Sequence, residues 1–522
     1  MNILAACRRL STAATVFFGD HGAVSQLARR RQVSRQALYR EADVTMQDVD
    51  GTAVQQEVQD LHRQVEYLSG RVVELEARLS EAVVIDADQQ ARFASTAQAE
   101  GVSLPVTRRL LRVLVGPRTP SVAKLGRMTR AAAQRAQAVL ATIDAASRPL
   151  VEQAAADEIF FGRRPCLMLV EQQSMCWLTG RLVDRRNGEE WAKEFRQLPH
   201  VQQLTRDAGN ALAKGVALVN AERRQQERAL VSDQEDVFHA LHEGGRPLRQ
   251  LQSRSATLLA KAEAAQDHAE ALRRQGLPSQ GKSGVAAKAW RRAERAMDEW
   301  SAAEKAWQQV GQALQLFTPA GELNTRAKAE AVLQAVLPRL TGPGWSKAKR
   351  LLQRPQLLTF LERAQQELAA LPVAAEVREA AVRIEGLRRQ EEALRGSGRS
   401  AACLRGVLLA AGMVISLTGS AGAEAQALVR QVLRGVWRAS SLVECINSVA
   451  RMQQARHRKM TQGLLDLKRL YWNCREFRTG RRRRQTPYGM LGLKLPTSDW
   501  WELLNLPPKQ RYQQVSAPRV AA

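Results

Sequence analysis

A chain of 522 residues with 45% hydrophobic and 25% charged side chains is too long for one core and too apolar for a disordered tail, so about three or four folded domains are expected. Lys and Arg outnumber Asp and Glu by 78 to 52, a formal charge of +26; this points to a polyanionic partner, nucleic acid first, although ribosomal and membrane-surface proteins are equally basic. Six scattered cysteines with no C-x-x-C pair indicate neither a disulfide framework nor a zinc site, and suit a reducing cytoplasm.

Leu4-Ala5-Ala6-Cys7 has the look of a lipoprotein cleavage box but lacks the basic and apolar regions that should precede it, so no signal peptide is read. Over residues 17–43, Ala23, Val24, Leu27 and Ala28 stripe one short helix, and Val33, Ala37 and Leu38 a second, with Ser34 as its N-cap. A tight turn between them and Arg35, Gln36, Tyr39 and Arg40 on the second match helix-turn-helix geometry, in which such side chains read major-groove base edges. The alternative is a small bundle with a basic solvated face.

Val58, Val65, Val72 and Leu79 then fall seven apart, interleaved by Val54, Leu61, Leu68 and Leu75. β-branched residues at one core position and Leu at the other favour a parallel two-stranded coil, hence a homodimer, against packing within one chain. From Val102 to about Asp144 two more helices are expected, broken at Pro117 and Pro120 and capped by Ser121. Lys124, Arg127, Arg130 and Arg135 suggest a second helix-turn-helix.

Around Asp157 the period changes. ADEIFFG, CLMLVEQ and MCWLTGRLV read as three antiparallel strands, EEWAKEFRQL as a helix, VQQLTRD as a fourth strand and ALVS as a fifth. That is the order in which ribonuclease-H-like folds begin, and it sets a carboxylate on the first strand (Asp157) beside one ending the fourth (Asp207). Paired carboxylates repel unless a cation lies between them, and hard oxygen ligands suit two Mg²⁺ or Mn²⁺ ions. Asp233 and Asp236 compete for the second role; Asp236 and His239, three apart at a helix start, are either support for a metal site or an ordinary cap and its histidine.

With these residues in view, the blocks Ala156–Phe161 and Leu204–Gly209 resemble the first two catalytic blocks of bacterial insertion-sequence DDE transposases. Asp236-Val237-Phe238-His239 resembles the D-x-F-H sequence after their fifth strand, Ser440–Ser448 their glutamate-bearing helix, and the run from Leu465 to Leu504 their C-terminal tail. The resemblance implies a catalytic, metal-binding triad of Asp157, Asp207 and Glu444, two Mg²⁺ (or Mn²⁺) ions, and double-stranded DNA partners, namely terminal inverted repeats and a target. It implies cleavage of DNA ends followed by strand transfer in a bacterial cytoplasm, at the nucleoid and without a membrane. On a helix, Asn447, Ser448 and Arg451 share the Glu444 face, where Asn447 and Arg451 are expected to hold DNA phosphate. The rivals are a nuclease of the same fold without strand transfer, and a DNA-binding regulator or inactive remnant.

Between His239 and Glu444 lies an Ala-, Gln-, Arg- and Glu-rich helical insertion, with breaks at 276–284, 342–344 and 396–400. Gly406 to Ala423 within it is uncharged but too short and Gly-broken for a bilayer span, so a buried helix is expected. Trp290, Trp300, Trp307, Trp345 and Trp437 are read as helix-packing residues or as stacking platforms for unpaired bases. Arg478, Arg481, Arg482, Arg483 and Arg484 form a basic run for phosphate contacts. The expected fold class is mixed and predominantly α, with helix-turn-helix units and a coiled coil ahead of an α/β ribonuclease-H-like core split by the insertion. The boundaries read are 1–50 (first reader), 51–86 (coil), 100–146 (second reader), 150–245 (core), 246–434 (insertion), 435–475 (glutamate helix) and 476–522 (basic tail).

Overall fold

The computed structural model describes residues 3–48, 52–81, 85–394, 399–419, 422–454 and 460–507, and the chain divides at Asp86 into two compact units. In the first unit α1 (Ile3–Phe18), α2 (Ala23–Arg31) and α3 (Arg35–Asp48) pack on one another. The turn Gln32-Val33-Ser34 joins α2 to α3, with Gln32 left-handed at φ 56° and the Ser34 hydroxyl accepting from the Ala37 amide. Leu38, Ala42 and Thr45 are buried, at i, i+4 and i+7. Val33 and Ala37, expected in this stripe, are exposed instead. The reason is α1, which sequence reasoning missed: it packs on α3 and sets which side of that helix faces inward. α4 (Thr52–Glu81) is one continuous 30-residue helix. Its heptad residues Val58, Leu61, Val65, Leu68, Val72 and Leu75 are all 45–60% exposed. The side chains of Val54 and Leu79 lie outside the described residues.

The second unit begins with α5 (Ala87–Ala99), α6 (Leu104–Val115) and α7 (Val122–Ser147), the last capped by Ser121, whose hydroxyl accepts from Lys124 N. The stretch 100–146 is not a separate body. Ala132, Ala136, Val139, Leu140 and Ile143 of α7 enter the same core as the sheet, while Lys124, Arg127, Arg130 and Arg135 stay on its exposed side.

The sheet is built from β1 (Gln153–Phe161), β2 (Arg164–Glu171) and β3 (Trp177–Leu182), then α8 (Gly188–Arg196), β4 (Gln203–Arg206), α9 (Asn210–Gln225) and β5 (Ser232–Glu235). Its order is β3-β2-β1-β4-β5. β1 pairs with β2 and β2 with β3 antiparallel, whereas β1, β4 and β5 run parallel. Gly162 at φ 66° supplies the left-handed turn between β1 and β2. The fifth strand lies three residues beyond the expected ALVS. Its inward side chains are polar, Gln234 and Glu235, both about fully buried, so an apolar pattern could not locate it.

Past β5 come α10 (Val237–Arg274), α11 (Gln280–Ala313), α12 (Arg326–Val336), α13 (Ser346–Leu352), α14 (Thr359–Ala369), α15 (Ala375–Ala393), α16 (Arg399–Thr418) and α17 (Gly422–Gly435). The expected break at 276–284 separates α10 from α11, and that at 342–344 leads into a 3-10 turn. Residues 396–398 of the third lie outside the described residues, and 399–400 begin α16. α16 is helical as expected but not buried: Leu404, Leu408, Leu409, Met413 and Leu417 are 48–73% exposed, because its partner is chiefly α15 alone. No helix among the described residues is long and apolar enough to cross a membrane.

The chain returns to the sheet through α18 (Ser441–Gln454), α19 (Gln462–Cys474), α20 (Pro487–Leu491) and α21 (Trp500–Asn505). α18 packs on β1 and β2, with Val443, Ile446 and Ala450 against Ala155, Ile159 and Met168. The stretch expected as a basic tail also contributes core residues. Tyr488, Leu491, Leu493, Trp500, Trp501 and Leu504 pack with α7 and the opposite face of the sheet, and residues 508–522 lie outside the described residues.

Candidate active site

Parallel pairing of β1 with β4 matches Ala156 to Arg206, so Asp157 and Asp207 follow side by side on neighbouring strands. Asp157 is 4% exposed. Its Oδ1 accepts from the Glu158 amide at 2.7 Å and its Oδ2 from Asn447 Nδ2 at 2.6 Å. The carboxylate of Asp207, half-buried just past β4, accepts from the Gly209 amide at 2.9 Å. The rival Asp233 lies inside β5, not after it, and is engaged by Arg206 through two contacts of 2.7 Å. Asp236 caps α10 through the Phe238 amide and holds His239 Nδ1 at 2.8 Å, with Ser440 Oγ donating to the same Asp236 oxygen.

Glu444 stands in the first turn of α18. His239 Nε2 lies 3.8 Å from one of its oxygens and Arg451 3.6 Å from the other. Four consecutive residues ahead of that helix are tied down. The Trp437 carbonyl accepts from Gln203 Nε2 at 2.8 Å, that of Arg438 from the Val237 amide at 3.0 Å, and that of Ala439 from Gln172 Nε2 at 3.3 Å. Ser440 completes the set at Asp236. The insertion joins this brace: Arg363 of α14 donates to Gln203 Oε1, and Arg354 donates to Glu235 and to the Ala208 carbonyl beside Asp207. Helices supplied some two hundred residues apart in sequence thus fix where the glutamate stands.

Electrostatics tie the acids together. Burial first, then the fields of Asp207 and Glu444, push the Asp157 carboxyl up to about 7. Burial likewise raises Asp207. The hydrogen bond to Asp236 lifts His239 to about 9 against the effect of burial, helped by Asp157 and Asp207. Three carboxylates therefore share one negative field, with His239 and Arg451 as countercharges beside it. Among the described residues, no three acidic, His or Cys side chains close on one point tightly enough to cage an ion. The donor chemistry nevertheless fits a hard divalent cation: the acids present only oxygen, and the buried Asn447 Oδ1 beside them has no hydrogen-bond partner among the described residues.

Several expected contacts are placed differently. Asn447, expected to meet DNA, is fully buried; it lies beside the buried Val443, Ile446 and Ala450 stripe of α18 that packs on the sheet, so it serves as a positioning residue for Asp157. Replacing it with leucine removes a hydrogen bond to the ionised form and should raise the Asp157 pKa further. NMR titration of the Asp157 carboxyl carbon measures this, and an unchanged titration would mean that the bond does not form. Arg482 is half-buried and donates to the carbonyls of Gln172 and Gln173, so it anchors its loop, whereas Arg478, Arg481, Arg483 and Arg484 are exposed. Trp345 is 2% exposed and packs 5.4 Å from the half-buried Trp307, so the Trp345 ring is a packing residue and not a free stacking platform. Trp437 lies 5.8 Å from the Arg481 guanidinium. Arg35, Gln36, Tyr39 and Arg40 are exposed on α3, as are Ser448 and Arg451 on α18.

The brace residues Gln172, Gln203 and Ser440 were missed from sequence. Gln172 sits in a stretch that reads as a turn, and nothing local marks its partner at Ala439. No known protein family matches the chain, and no curated protein matches it.

Proposed function

We propose that the second unit holds a ribonuclease-H-like phosphoryl-transfer core and that the chain is a DDE-type transposase. The observation that carries this reading is one alignment: adjacent parallel strands deliver Asp157 and Asp207 together, and α18 brings Glu444 into the same field. Five strands in the order β3-β2-β1-β4-β5, with the helical insertion between β5 and α18, support the fold assignment. Asp157, Asp207 and Glu444 would hold two Mg²⁺ or Mn²⁺ ions, which when bound activate an attacking oxygen and offset charge on the leaving one. Asn447 fixes the Asp157 carboxylate, while Asp236 and Ser440 fix His239 and the approach to α18. Arg451 and the exposed Arg478, Arg481, Arg483 and Arg484 offer cations to the DNA backbone.

In the first unit, α2 and α3 act as a helix-turn-helix reader of terminal inverted repeats, with Arg35, Gln36, Tyr39 and Arg40 toward the bases. Lys124, Arg127 and Arg130 of α7 add phosphate contacts. The decisive experiment incubates the protein with Mn²⁺ and a duplex carrying the repeats that flank its gene. Wild type should nick the repeat end and join it to target DNA, whereas Asp207→Ala should bind equally and cut at least about a hundredfold less. Full cleavage by that variant would remove the triad.

The open heptad face of α4 is assigned to a second copy of the chain, which makes the assembly a dimer able to hold two repeats. Leu61→Lys with Leu68→Lys should convert it to a monomer in analytical ultracentrifugation without loss of helix content. A wild-type protein that sediments as a monomer at micromolar concentration would remove this part.

A further inference from the structure

α10 and α11 form an antiparallel hairpin of 38 and 34 residues. Its seam is made of small residues: Ser255, Ala262 and Ala269 face Ala286, Ala293 and Ala296, all buried. No residue of α10 beyond Leu251, and none of α11 before Ala303, joins a hydrophobic core cluster of the unit. The far part of the hairpin is therefore an arm whose main packing partner is itself. A hairpin needs no cationic groove to be stable, yet this arm has one. Between the helices lies a groove of about 740 Å³ lined by Arg254, Lys261, Arg292 and Arg295, with Ser253 and Thr257 beside them. The four cations are exposed. The one acid in the lining, Glu299, is 3.2 Å from Arg254, which leaves a net positive groove.

The arm has a fixed origin. Its first turn carries His239, which faces Glu444. At 1.5 Å per residue, Arg254 and Lys261 lie roughly 22 and 33 Å along the helical path from His239, with Pro247 inside that path. At about 3.4 Å per base pair this is a reach of roughly seven to ten base pairs. We propose that this groove binds the phosphate backbone of the duplex about seven to ten base pairs from the phosphodiester held at the acids. The arm would thus be a second, sequence-independent clamp that sets how much flanking duplex the enzyme needs. The inference rests on the phosphoryl-transfer reading above.

Two duplexes that share the same cleavage end test it, one extending six base pairs and the other fourteen beyond it, with binding followed by anisotropy from about 50 to 200 mM salt. In the full-length wild type, the longer duplex should bind about tenfold more tightly, with a salt slope steeper by up to about 3. The variant R254A/K261A/R292A/R295A should lose that gain and keep wild-type affinity and nicking on the short duplex. A second variant with glutamine at all four positions keeps part of the aliphatic stems and should behave alike. If both variants keep the length-dependent gain, the arm assignment is overturned while the enzyme reading stands. If the wild type shows the gain but never nicks, the clamp survives and the transposase reading fails. No DNA binding by the wild type overturns both.

Discussion

Asp157→Asn should give a metal-free protein that is more stable than wild type and no longer cuts DNA. An aspartate free in water titrates near 3.8, and burial beside Asp207 and Glu444 raises Asp157 to about 7. The fold therefore binds this proton more tightly than the unfolded chain does, and stability falls as pH rises between those values. Below about pH 4 the carboxyl is neutral in both states and costs nothing extra; above about pH 7 the fold carries the whole penalty, of order 2–4 kcal/mol. Asparagine has the same shape, stays neutral, and can still meet Asn447 through its own carbonyl oxygen. At pH 8 in EDTA the variant should melt a few degrees higher than wild type, and the difference should shrink toward pH 5.5.

Divalent cations reverse the comparison. Mg²⁺ or Mn²⁺ should raise the wild-type melting temperature at pH 8 and leave the variant unmoved, because a ligand that binds only the folded state stabilises it by mass action. Cleavage should drop by at least about a hundredfold. A variant that melts lower than wild type at pH 8 in EDTA would show that the carboxylate is already neutralised within the protein, with His239 the nearest candidate. The metal assignment would then lose its electrostatic motive.

The first strand was legible because it is short and mostly apolar and Asp157 interrupts its run, whereas β4, which reads Gln-Leu-Thr-Arg, was legible chiefly from its place in the strand order. Glu444 was legible only through the resemblance of its block, since nothing in a local pattern says that α18 returns to β1. The brace was not legible at all. Gln172, Gln203 and Gln234 are buried amides whose partners lie between 123 and 267 residues away, and a glutamine in a strand looks the same whether it meets solvent or a distant carbonyl. The same long-range packing explains two misplacements. Asn447 neighbours Glu444 as the helical period requires, but it stands at the edge of α18 that packs on the sheet, whereas Ser448 and Arg451 stay exposed. Part of the supposed tail is core because Tyr488, Trp500 and Trp501 pack in one cluster with α7, an encounter that the dense arginines just before them conceal.

That encounter bears on the second large expected effect, at Asp144→Ala. Residues 100–146 read from sequence as a second helix-turn-helix DNA-binding unit, and in a unit that folded by itself the loss of one acid would be a local matter. In the fold, Asp144 near the end of α7 holds Arg469 of α19 through contacts of 3.0 and 2.8 Å. Arg469 is 7% exposed and also donates to the Leu178 carbonyl in β3. Removing the carboxylate strands a buried guanidinium among helix, strand and tail, which should cost roughly 3–5 kcal/mol and destabilise the whole second unit. The pair is not perfectly satisfied, since Arg469 Nε and the neighbouring Tyr488 hydroxyl have no hydrogen-bond partner. Replacing both charges, as Asp144→Leu with Arg469→Met, should therefore recover most of the loss, and this side of the sheet lies away from α18, so cleavage should recover with the fold. Denaturant melts followed by tryptophan fluorescence would measure it, with Trp177, Trp191 and Trp501 all reporting from this unit. A single Asp144→Ala transition that leaves those tryptophans undisturbed would mean that α7 unfolds by itself, apart from the sheet.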